Sequence, residues 1–202
     1  MAVKERKSRI KKKQEILESA RKLIEQKGYE DITMEDIAAT VSLSRPALYL
    51  YFKNKAEIYL ALVTRGLQEL NEGYDRALSR LEGVDPVDTL KAAGIVFFEF
   101  YGRNHAYFDL LVTKRADLVR ESGVDLVEEF ERAGRGAVQP IARAYESGVD
   151  SGHFRKKNPE KMAYMLRAVA IGIAVGFREG NLRFPDDVEL VTDMVMNGML
   201  QP

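Results

Sequence analysis

Arg45, Tyr49, Tyr51, Lys53 and Lys55 stand close together in a chain of 202 residues, and their side chains are of the kinds that read and hold nucleic acid. A guanidinium makes a bidentate contact to O6 and N7 of guanine, worth roughly 1–3 kcal/mol of discrimination. Phenolic hydroxyls and ammonium groups bind phosphates, which set register without reading sequence. Lys55 also stands near the start of a further helix, whose N–H groups can join the same phosphate.

This chemistry needs a short rod that buries one side and presents the other. Leu48 and Phe52 recur four residues apart, which puts them on one helical face and turns Arg45, Tyr49 and Ala47 outward. Ser44 precedes Arg45-Pro46, a hydroxyl N-cap followed by a first-turn proline, so the rod begins at Ser44. An earlier helix begins at 33 or 34: Thr33 caps it, Glu35 and Asp36 face the positive end of its dipole, and Ile37, Ala38 and Val41 form its stripe. Ser42 and Leu43 leave a turn of only a few residues, the length of a DNA-binding helix-turn-helix, with Leu43 plugging the gap. Ser44 joins the candidate DNA-facing set. A competing reading makes Tyr49, Tyr51 and Phe52 plain core aromatics.

The order and spacing of Thr33, Ile37, Ala38, Leu48, Tyr49, Tyr51, Phe52 and Lys55 resemble the DNA-binding end of TetR-type (tetracycline-repressor-like) transcriptional regulators. The resemblance spans about Gln14 to Leu62. It implies that Thr33, Arg45, Tyr49, Tyr51 and Lys55 face operator DNA. Two positions depart from it: Ser42 stands where a turn glycine is usual, and Pro46 replaces a glycine near the start of the recognition helix. Serine costs backbone energy in such a turn, and Pro46 removes an N–H that a phosphate would use.

The formal charge is zero, yet it is divided along the chain. Residues 1–65 hold 14 basic and 9 acidic residues (+5), and residues 66–202 hold 17 and 22 (−5). Lys4, Arg6, Lys7, Arg9, Lys11, Lys12 and Lys13 make residues 1–13 a basic flexible arm suited to neutralising phosphates, or merely a solvated tail. No cysteine is present, which excludes thiolate zinc sites and thiol nucleophiles. His105 and His153 lie far apart, so no metal or other cofactor is expected. No apolar leader follows the basic start, and the apolar run from Ala168 to Phe177 is too short to span a bilayer. A cytoplasmic protein without a membrane partner is expected.

The remaining pattern is helical throughout. Ile16, Leu17, Ala20, Leu23 and Ile24 form a stripe closed by Lys27-Gly28, a basic last turn before a glycine C-cap. One long helix runs from Lys55 towards Gly83, and others are expected over 86–102, 104–114, 116–150 (interrupted between 134 and 140), 159–179 and 185–200. The fold class is all-α: a three-helix helix-turn-helix head at 14–54 on a larger ligand-binding and dimerisation body at 55–202.

Within the body, Phe97, Phe98, Tyr101, His105 and Phe108 crowd one region, and with Tyr145 they are candidates to line a pocket for a small apolar or amphipathic ligand. Ordinary core packing accounts for the cluster equally well and is the favoured reading for any one aromatic. Ala168, Ala170, Gly172, Ala174 and Gly176 alternate with Val169, Ile171, Ile173 and Val175, so that helix needs cover on more than one side. With Val188, Val191, Met194, Val195 and Met199 it is expected to pair with a second copy through about 159–200, as in the resembling family.

The expected function is a homodimeric regulator of double-stranded DNA, a repressor released from a palindromic operator by a small molecule. A ligand-independent or protein-responsive DNA binder is the alternative, followed by an all-helical enzyme or carrier. Catalysis is not expected, because no phosphate-cradling loop, paired histidines or nucleophile and base spacing is present.

Overall fold

Strong helix formers dominate the chain, and its breaks fall where caps and turns are encoded. The computed structural model describes residues 2–81, 85–104, 115–183 and 186–199, with side chains from residue 6 onward apart from those of 81 and 115–117. Ten α-helices lie among the described residues: α1 Ala2–Lys27, α2 Met34–Thr40, α3 Arg45–Tyr49, α4 Lys55–Leu78, α5 Pro86–Arg103, α6 Arg115–Glu121, α7 Val124–Gly136, α8 Gln139–Asp150, α9 Pro159–Arg178 and α10 Val188–Met199. A 3-10 turn, Ser79–Leu81, follows α4. The described residues form no strand, and none of their helices is long and apolar enough to cross a membrane.

The chain divides into two compact units, residues 1–65 with 106–130 and residues 66–105 with 131–202. This differs from the expected division at 54/55, because the first part of α4 is buried with the head: Ile58, Tyr59 and Leu62 are core residues there. Residues 2–13 also differ from a flexible arm. They are the first turns of α1, since Lys, Arg and Glu favour helix and continue without a break into the stripe of Ile16, Ala20 and Ile24.

In the first unit, α1 packs on α2 and α2 on α3 around Ile16, Ile37, Leu48 and Phe52. Gly28 ends α1 at φ 81°, the left-handed C-cap expected of it. Its N–H bonds Ile24 O at 2.8 Å.

In the second unit, α5 packs on α8 and α9, α8 on α9, and α10 on α5. Phe98 meets Phe97 edge to face at 5.4 Å and Phe177 at 5.7 Å, and Tyr145 stacks on Phe154 at 5.3 Å. The span expected as one interrupted helix over 116–150 is three helices, α6 to α8. Ser122-Gly123 makes a first break, and Ala137-Val138 ahead of Pro140 makes a second. The expected helix over 104–114 lies outside the described residues.

Candidate nucleic-acid interface

Two caps build the helix-turn-helix. Thr33 Oγ1 accepts from Asp36 N at 3.1 Å while the Asp36 carboxylate accepts from Thr33 N at 2.8 Å, a reciprocal capping box that starts α2. Hydrogen bonds from the Thr33 hydroxyl and then its N–H hold the Asp36 carboxyl below the ordinary aspartate range. Ser44 Oγ accepts from Ala47 N at 3.3 Å and starts α3, with Pro46 in its first turn.

Between the caps, Ser42 N donates to Ala39 O at 3.3 Å and Leu43 N to Ala38 O at 3.0 Å, the two bonds of a Schellman motif. That motif puts Ser42 at φ 53°, in the left-handed region where a side chain is strained. Replacing Ser42 with glycine is therefore expected to raise stability by roughly 0.5–1 kcal/mol, the strain relief being partly offset by the freer unfolded chain. Ser42→Val should lower it. Thermal unfolding checks both, and a lower melting temperature for S42G would show that the turn is unstrained.

Leu48 is fully buried, whereas Arg45 and Tyr49 are exposed. The Arg45 guanidinium lies 5.6 Å from the Tyr49 ring centroid and pairs with Glu35 on α2. Both partners of that pair are more than half exposed, so solvent screens it and DNA can displace it. Lys53 is exposed, Ala47 and Tyr51 are half-buried, and Phe52 closes the core just beyond α3 with its N–H on Leu48 O.

Lys55 is placed differently from the expected phosphate contact. Its Nζ donates to Tyr29 O at 2.8 Å, Ile32 O at 2.9 Å and Glu30 O at 3.2 Å, and it sits 4.4 Å from the Tyr29 ring centroid. An ammonium has three donors, and all three hold the loop between α1 and α2. Lys55→Met is expected to destabilise the protein by about 3 kcal/mol through these charge-assisted bonds. A variant that melts like the parent and only binds DNA less tightly would restore the phosphate role.

Several bracing residues escaped the sequence reading. Arg9 Nη2 donates to Leu50 O at 2.9 Å and Lys12 Nζ to Val41 O at 3.2 Å. Arg9 also lies 5.7 Å from the Tyr51 ring centroid and Lys13 5.3 Å from that of Phe52. Part of the basic segment therefore caps the ends of α2 and α3, a role that a run of charges does not announce. Leu50, 72% exposed beside Tyr49, was also missed because an apolar residue reads as core. At the start of α4, Asn54 Oδ1 accepts from Glu57 N at 2.8 Å, and the buried Glu57 carboxylate accepts from Lys53 N at 2.7 Å. Asn54 Nδ2 reaches Glu121 O at 2.9 Å.

Residues 16–62 match the family described as bacterial regulatory proteins, tetR family. The transcriptional activator FasR of Mycolicibacterium smegmatis is 33% identical over 195 residues, 96% of this chain and 81% of FasR. The chain belongs to the TetR family of transcriptional regulators. Relatives of this TetR-family protein include the regulator EthR of Mycolicibacterium smegmatis, 30% identical over 91 residues, 45% of this chain and 42% of EthR. The match thus spans less than half the length of that relative. The fold is that of a solved structure described as AibR in complex with isovaleryl coenzyme A and operator DNA, at a TM-score of 0.66, 21% identity, and coverage of 95% of this chain and 99% of that one. A TetR-family DNA-binding regulator, and not an enzyme, is what these relatives are.

The second unit holds a cavity of about 80 Å³. Phe97 and Phe98 line it, but Tyr101 and Tyr145 do not. Tyr101 is core, tilted against Phe177 at 6.2 Å. Tyr145 is fixed by its stack on Phe154 and by its hydroxyl, which donates to Arg155 O at 2.6 Å. The cavity reaches α8 at Ile141 and not at Tyr145, and α9 and α10 contribute Val169, Ile173, Val191 and Val195 to its wall. His105 and Phe108 lie outside the described residues. On α9 and α10, Tyr164, Met165, Val169, Leu190 and Met194 are exposed.

Proposed function

We propose that this TetR-family regulator is a cytoplasmic homodimeric repressor that grips a palindromic operator and leaves it when a small molecule fills the body. The observation that carries the DNA reading is α3: capped by Ser44, buried through Leu48, and presenting Arg45 and Tyr49 outward. In the proposed complex Arg45 reads a guanine. Tyr49, Tyr51 and Lys53 hold phosphates, as do the Ser44 hydroxyl by donating its O–H and the Thr33 hydroxyl by turning its O–H away from the Asp36 carboxylate, and Ala47 lies against the groove floor. Lys55 positions the head instead.

Exposed apolar side chains on α9 and α10 support a second copy as their cover. Two heads related by a two-fold axis call for a palindromic site. AibR, which shares the fold, is described with both a ligand and operator DNA. Within this chain, α4 runs unbroken from Lys55 to Leu78, so Tyr74 at the cavity and Lys55 at the head share one helix. A ligand that favours one setting of that helix can shift the DNA-binding population by no more than its differential affinity for the two states.

The test is selection of duplexes from fragmented genomic DNA, followed by mobility shifts across a salt series and transcription from the selected promoter. Tight binding that weakens with salt, a mass twice 22.9 kDa, and transcription that falls with protein and recovers with ligand are expected. Failure to hold any duplex at low salt would overturn the reading.

A further inference from the structure

The cavity of the second unit is largely apolar. Arg167 is the one charged residue among the described residues that line it, and Tyr74 and Thr192 are the hydroxyl-bearing residues of that wall. The rest of the wall is aliphatic or aromatic, including Leu90, Phe97, Ile173 and Val195. Arg167 is held in part by its stack on Tyr164, at 5.4 Å from the ring centroid. The Tyr74 phenol is raised by burial and partly brought back by the charge of Arg167, so the hydroxyl stays protonated and lies within electrostatic reach of the guanidinium.

We propose that the cavity takes a medium-length aliphatic carboxylate, its tail among Phe97, Ile173 and Val195 and its carboxylate on Arg167, with the Tyr74 hydroxyl as a second donor. A carboxylate matches the guanidinium fork with two parallel hydrogen bonds. The one arginine among the described wall residues matches the single charge of a carboxylate, whereas a phosphate monoester would carry further charge that no other described wall residue balances. Size points the same way. A volume of about 80 Å³ is room for roughly six waters, and a methylene occupies a similar volume, so a chain of roughly six to eight carbons fits. This assignment rests on the reading of the body as a ligand-binding module, and it names what the module holds.

The experiment uses the full chain without DNA, so that its result is independent of operator release. Binding of octanoate, octan-1-ol, octylammonium and octanoyl coenzyme A is measured by calorimetry and thermal shift on the parent, Arg167→Gln and Gly94→Leu. Gly94 lines the cavity, and a Cβ there meets nothing within 4 Å, so the leucine fills the space. Octanoate is expected to bind at least tenfold more tightly than the alcohol or the amine. R167Q should lose that preference while still binding octan-1-ol like the parent, and G94L should bind neither. The proposal is overturned if the parent ignores octanoate, if the amine or alcohol binds as tightly, if octanoyl coenzyme A binds while octanoate does not, or if R167Q keeps the octanoate affinity. If octanoate binds as described yet leaves the DNA complex intact, the inference stands and the release mechanism under Proposed function fails.

Discussion

Met165→Asp combined with Met194→Asp is expected to give monomers and to lower operator affinity by about 10²–10⁴-fold. Both methionines are exposed, at 61% and 68%, and neither lines the cavity. Surface substitutions of this kind change subunit stability little, so helicity and melting should be near those of the parent at low concentration. Within a dimer, each aspartate would be buried in an apolar contact without a partner, which opposes association strongly. The loss in DNA binding follows because the second head then binds as a separate molecule and no longer at high effective concentration. Sedimentation and mobility shifts measure the two effects. A variant that stays dimeric would place the two-fold contact elsewhere than α9 and α10.

Arg45→Ala is expected to weaken operator binding by roughly 10–100-fold and to relax the preference at one base pair of each half-site. Arg45→Lys should restore little, because a point ammonium cannot form the two-pronged contact. Glu35→Gln should act in the opposite direction. It removes the carboxylate that holds Arg45 in the free protein, and the exposed pair is weak, so a gain of roughly two- to fivefold is expected. Competition against duplexes varied at each position reads all three. If R45A loses affinity equally for every sequence, Arg45 is a phosphate contact and the base is read by another residue.

Bracing of the interface by the first helix carries a general point about basic segments. Arg9 and Lys12 bond the carbonyls of Leu50 and Val41, which follow α3 and α2 at the positions where a helix leaves carbonyls without an intrahelical donor. The same cations that raise local positive potential also brace the ends of α2 and α3. Charge counting sees only the first effect.

Local chemistry was legible in the sequence where it acts over a few residues. Thr33 and Ser44 announce caps, Leu48 and Phe52 a buried face, Gly28 a left-handed stop, and each operates through bonds to the backbone within one turn. The all-helical class, the helix-turn-helix and the apolar stripes of α9 and α10 follow from such signals, because helical periodicity and capping are encoded at short range. What tertiary structure alone decided involves partners far apart in the chain. Lys55 finds carbonyls at 29, 30 and 32, Arg167 and Tyr74 line one cavity, and Tyr145 is taken by Phe154 and Arg155. Spacing along a chain says which side of a helix a residue occupies, and only packing says what stands opposite.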